Sequence, residues 1–102
     1  MERLIKKIDD LSKEIYSTNP QIYIMMSEIL EEIEKIYIEF MSIIPQLNKI
    51  GMDISLDGIS QQLTTISRAI SDFDRVQMYD SFEYEIKDTL VFYNEIKKIM
   101  NE

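Results

Sequence analysis

From Ile22 to Ile50, the residues Ile22, Met26, Ile29, Ile33, Ile36, Phe40, Ile43, Leu47 and Ile50 follow one another in alternating steps of four and three. Only an α-helix brings residues at that spacing back to one side. Tyr23, Leu30, Tyr37 and Ile44 add a second row at steps of seven. A stripe this wide predicts a long helix buried against more than one neighbour. Pro45 lacks a backbone donor and crowds the preceding turn, which predicts a kink or an end near it, with Gly51 closing the run.

The same spacing recurs on either side. Leu4, Ile8, Leu11 and Ile15 line one face of a first helix, which Asn19-Pro20 ends. Asn19 is expected to cap the second helix, with Pro20 at its first position, where a missing N–H costs nothing. Ile59, Leu63, Ile66, Ile70 and Phe73 define a third helix, capped by Ser55 or Asp57. A fourth follows with Val76, Tyr79, Phe82, Ile86, Leu90, Tyr93, Ile96 and Met100 facing inward. Asp74 and Gln77 have the spacing of a capping box between the two. The apolar phase shifts between Phe73 and Phe82, which also favours a turn there; a continuous third and fourth helix is the alternative. The expected fold is all-α: one domain over residues 1–102, a small up-and-down bundle of four helices.

Composition removes most chemistry. The 102 residues include no cysteine and no histidine. Thiolate nucleophiles, imidazole bases and the usual zinc ligands are therefore absent. Acids outnumber bases 19 to 11, for a net charge of −8 spread along the chain. Such a field repels phosphate backbones and anionic lipid, so neither nucleic acid nor a membrane surface is an expected partner. No run is long and apolar enough to span a bilayer, and the segment beginning Met1-Glu2-Arg3 lacks the apolar core of a signal peptide. A cytoplasmic protein is expected. Abundant isoleucine beside a single alanine, Ala69, is the bias of an AT-rich bacterial genome.

Two groups of residues resemble sites and fail on inspection. Asp53, Ser55, Asp57 and Gly58 open like a calcium loop, but Ser60 and Thr64 stand where an apolar residue and a bidentate glutamate are needed. Leu63 also belongs to the core stripe, so the segment reads as a helix-start turn. Asp80, Glu83, Glu85 and Asp88 could suggest di-iron or glycosidase chemistry. The first needs Glu-x-x-His pairs that a chain without histidine cannot supply. The second needs a walled cleft that a short bundle rarely provides. No metal, no cofactor and no enzymatic activity are expected.

What remains is recognition. Tyr84 lies between Glu83 and Glu85, off the Phe82–Ile86 face, and an exposed tyrosine ringed by acid suits a partner anchor. It could equally lay its ring on a neighbouring helix. Met25, Met41 and Met52 fall at the edge of the second helix's stripe, as adaptable groove residues or as gap fillers. The expected partner-binding residues are Tyr84, Asp80, Glu83 and Glu85, with Tyr23, Leu30, Tyr37 and Ile44 along a groove beside the second helix.

The run Asp74-Arg75-Val76-Gln77-Met78-Tyr79-Asp80-Ser81-Phe82-Glu83-Tyr84-Glu85-Ile86 resembles a segment of short, acidic, helical proteins of clostridia and their relatives. These often lie near motility and flagellin-modification genes. Ser81 departs from that pattern, which has an apolar residue there. The resemblance implies a bacterial helical protein tied to flagellar biogenesis. With the residues above, it leads to an expected non-catalytic, protein-binding bundle, adaptor-like or export-chaperone-like. The alternative is a self-assembling homodimer that covers its own surplus apolar surface.

Overall fold

The computed structural model describes residues 1–101. Among them α1 spans Glu2–Glu14, α2 Ile22–Lys49 and α3 Leu56–Ser71. The last helix has three parts: α4 (Arg75–Asp80), a π-helical segment (Ser81–Ile86) and α5 (Lys87–Met100). The fold is an all-α bundle of four helices, with no strand among the described residues. A turn separates α3 from α4, so the third and fourth helices are not continuous.

Cross-helix contacts give the order. Lys7 pairs with Glu32, Tyr37 with Gln62, Gln62 with Thr89, and Asp9 with Lys87. Each sequential pair of helices runs antiparallel, and the last helix returns beside α1. α2 also meets the last helix, where the Phe40 and Tyr93 rings stack at 4.7 Å. The longest helix is therefore covered by α1, α3 and the last helix together, as its wide stripe requires.

The connections are built from local hydrogen bonds. Ser17 and Asn19 both donate to the Glu14 carboxylate, and Asn19 Oδ1 accepts the Gln21 N–H at 2.9 Å. α2 therefore begins at Ile22, two residues later than a proline at the first helical position would place it. It also continues past Pro45, which is exposed, and ends at Lys49. There Gly51 adopts φ +99°, while the N–H groups of Gly51 and Met52 return to Asn48 and Leu47. This is a Schellman closure, with glycine at the left-handed position.

Asn48 then holds Ile54 through both its N–H and its carbonyl, and Ser55 Oγ caps α3 by accepting the Gly58 N–H at 2.9 Å. The would-be calcium loop is thus a capped helix start. α3 ends in a second Schellman closure, with Phe73 and Asp74 returning to Ile70 and Ala69. Here the left-handed residue is Phe73, at φ +50°. A bulky residue bears strain in that region. Its ring is held by stacking on Tyr23 at 5.3 Å and by the Arg75 guanidinium at 4.9 Å.

The core differs from the fixed pattern of fours and threes in three helices; in α3, Leu63 and Ile70 are half-buried and Ala69 is buried instead. In α2 the buried residues are Ile22, Met26, Ile29, Ile33, Tyr37, Phe40, Ile44 and Leu47. Ile36 and Ile43 are half-buried and Ile50 is exposed. Alternating fours and threes average 3.5 residues per turn, and a straight helix of about 3.6 drifts off that line by about 20° per heptad. After Ile33 the buried line takes a second consecutive step of four and continues through the second row.

In the last helix Met78, Phe82, Ile86 and Leu90 are all fully buried at successive steps of four. At about 100° per residue, three such steps would carry Leu90 about 120° away from Met78. The π segment accommodates one more residue than α-helical turns would, which takes back about 100°. Both halves then face the core. Val76 and Met100, expected inward, are exposed instead, and Tyr79 is half-buried while Met78 fills the core position.

Candidate protein-docking surface

The π segment carries Glu83 and Glu85 of the acidic cluster singled out in the sequence, with Asp80 just before it and Asp88 just after it. Its inner side is Ser81, Phe82 and Ile86, all buried, with Ser81 Oγ accepting from Gln77 Nε2 at 2.8 Å. Its outer side presents Tyr84 and Glu85, both exposed, with Asp80 exposed one turn earlier. Glu83 turns toward α1 instead. Lys87 Nζ donates to Glu83 Oε1 at 3.0 Å and also to Asp9 Oδ1, which ties α1 to the π segment. The Asp9 and Glu83 carboxylates raise the Lys87 pKa, so its charge is secure. Ser12, one turn from Asp9, is buried on this side of α1, and its hydroxyl has no protein partner.

Three tyrosines run across the same region. Tyr16, in the turn after α1, lies 5.9 Å from Tyr79, and Tyr79 meets Tyr84 edge-on at 6.2 Å. Tyr79 is half-buried, whereas Tyr16 and Tyr84 are 56% and 62% exposed. Desolvation, then Tyr84, Glu83 and Tyr16, push the Tyr79 phenol up, so it remains a neutral hydrogen-bonding group. Tyr84 thus packs within its own helix rather than across a neighbouring one, and leaves most of its ring accessible. Flat, rigid rings with one polar atom suit protein contacts.

The other four expected residues do not join this surface. Tyr37 and Ile44 are core residues, fully or almost fully buried. The step after Ile33 turns their row inward, so they cannot line a groove. Leu30 is half-buried against the core. Tyr23 is exposed, but near the turn between α3 and α4, on the face of Phe73. Two open spaces border α2: one of about 170 Å³ between Lys7, Asp10, Met25, Glu28 and Ile29, and one of about 360 Å³ at its start, where Ile22 and Tyr23 face Phe73 and Arg75. Met25, Met41 and Met52 pack against the core as gap fillers. α2 therefore spends its wide stripe on three neighbours of its own chain. Sequence reading missed Tyr16, because the row it begins is formed between helices and has no spacing along the chain.

Tyr37 anchors a polar cluster inside the bundle. Its hydroxyl donates to Gln62 Oε1 at 2.6 Å, and Thr89 Oγ1 donates to the same oxygen at 2.8 Å. Burial, with help from Glu85, raises the Tyr37 phenol well above its ordinary 10.0. The folded chain holds that proton more tightly than the unfolded one. Its stabilisation is complete below pH 10 and is lost as pH rises beyond it. Melting curves from neutral pH to about pH 11 should show this alkaline loss. Tyr37→Phe should weaken that loss while costing about 1 kcal/mol at neutral pH, since Gln62 keeps its bond from Thr89.

Among the described residues no group of three or more Asp or Glu side chains is arranged to hold a metal ion. No helix among them is long and apolar enough to cross a membrane. Compared with models of protein families, with curated proteins and with solved structures, the chain matches none.

Proposed function

We propose that this chain is a non-catalytic, protein-binding helical bundle of the adaptor or export-chaperone kind, acting in the cytoplasm. The observation that carries the reading is the accessible ring of Tyr84, flanked by Asp80 and Glu85, on a helix whose opposite side already fills the core. Tyr84 meets Tyr79 at one edge only and leaves most of its ring accessible, which suits a partner surface. The absence of histidine and cysteine supports a non-catalytic role. The resemblance of the Asp74–Ile86 run supports a bacterial protein whose partner belongs to flagellar biogenesis.

A second reading is self-assembly, favoured by exposed apolar residues elsewhere, such as Ile38 and Ile50. A photo-crosslinking residue at position 84, with a control at exposed Lys49, separates the two in cells of the native host. A discrete adduct with another protein at 84, missing at 49, is the expected result. An adduct with a second copy of the chain would favour self-assembly, and no adduct at 84 would sink the protein-binding reading.

A further inference from the structure

The outward side of the last helix has its own periodicity. Val76, Tyr84, Val91 and Ile99 are 46–71% exposed and recur at steps of eight, seven and eight. Asp80, Asp88 and Glu95, also exposed, stand between them. In an uninterrupted α-helix, Val76 and Asp88 would point about 120° apart. The one-residue accommodation at Ser81–Ile86 that realigns the core also realigns these residues. The result is a single straight seam opposite the buried stripe, in which apolar and acidic positions alternate by half-heptads. Four exposed apolar residues in one line are more than a solvated helix face ordinarily carries.

The charges decide what can lie on this seam. A second copy using the same face would set Asp80, Asp88 and Glu95 against equivalent carboxylates, which disfavours pairing. Lys98 pairs with Glu95, but the contact is long, at 3.8 Å, and exposed, so it neutralises little. An anionic membrane or nucleic acid meets the same repulsion, on a chain of net charge −8.

We propose that the outward face of Arg75–Met100 seats an amphipathic helix of another protein, carrying lysine or arginine at every seventh position between its apolar residues. Apolar side chains fit between Val76, Tyr84, Val91 and Ile99, and the basic groups reach the three carboxylates. This rests on the protein-binding reading and specifies the partner's chemistry.

The test uses two designed helical peptides with leucine at the first position of each heptad. One carries lysine at the fourth position, the other glutamate. Binding to the full chain is read by fluorescence anisotropy. The lysine peptide should bind, the glutamate peptide about tenfold or more weaker, and added salt should narrow the gap. Val91→Asp should abolish binding, with circular dichroism checking that the bundle remains folded. The triple variant Asp80→Lys, Asp88→Lys, Glu95→Lys should reverse the preference, and this holds as a test even if Val91→Asp fails to fold. Equal binding of both peptides, binding of neither, or no reversal would overturn the proposal. If neither peptide binds while the crosslinker at position 84 still captures another protein, the seam is wrong and the protein-binding reading stands.

Discussion

Deleting Tyr84 leaves the bundle folded, whereas deleting Glu34 destroys its cooperative unfolding. Both residues are exposed and both sit in the middle of a long helix, so burial alone predicts no difference between them. The difference lies in phase. Ser81–Ile86 holds one residue beyond the α-helical count, and removing one lets the segment relax to a regular α-helix. Met78 and Phe82 then stay on the same side as Leu90 and Tyr93. Glu34 lies in regular helix, where a deletion rotates everything after it by about 100° relative to what comes before. Ile22–Ile33 and Tyr37–Leu47 could no longer face the core together. Thermal melts followed by circular dichroism check both variants. Loss of folding on deleting Tyr84 would mean that the π segment is held by specific contacts rather than by the count of residues.

Phe40→Ala should cost about 3–5 kcal/mol. Phe40 is fully buried, stacks on Tyr93 at 4.7 Å and meets the edge of Phe92 at 6.2 Å. It therefore joins α2 to α5, beyond the stretch of α2 that α1 covers. Truncation loses the transfer energy of the ring and leaves a cavity between helices that cannot close without moving both. A domain of this size is stable by about 5–15 kcal/mol, so the loss is a large share of the total. The melting temperature should fall by roughly 15–30 °C. Ile38→Ala, at an exposed position two residues earlier, should change stability by no more than about 0.5 kcal/mol. Similar losses for the two variants would contradict the placement of Phe40 in the core.

The extent to which the sequence reveals this molecule follows from the same phase argument. Leu4, Ile8, Leu11 and Ile15 are all buried as their spacing predicts, because α1 is too short for drift to accumulate. α2 is long enough that a strict alternation of fours and threes leaves the true core line after Ile33, which exchanges Ile36 and Ile43 for Tyr37 and Ile44. The turn at Asp72–Asp74 was legible from the Asp74 cap and the break in phase, but a left-handed Phe73 was not. A bulky residue gives no local signal for that conformation, which is held by Tyr23 and Arg75 from outside the turn.

The candidate surface was partly legible for the same reason. Tyr84, Asp80 and Glu85 are close in sequence and the structure leaves all three exposed. Glu83 stands beside them in sequence, yet it turns to Lys87, which also holds Asp9 of α1. Val76 is expected inward with Tyr79 and Phe82, but two steps of three leave it about 120° from Phe82 even in regular helix, and it is exposed. Counting the extra residue of the π segment then lines it up with Tyr84, Val91 and Ile99 on the outer seam. The buried and the exposed sides of the last helix are thus two consequences of one insertion.

The most direct measurement is the native mass of the purified chain at micromolar concentration, alone and with the lysine-bearing peptide. A monomer that takes up one peptide is the result predicted for a bundle whose acidic, apolar seam is shaped for a different chain. A stable dimer that protects Tyr84 and Val91 and excludes the peptide would contradict it, and would make self-assembly the use of that face.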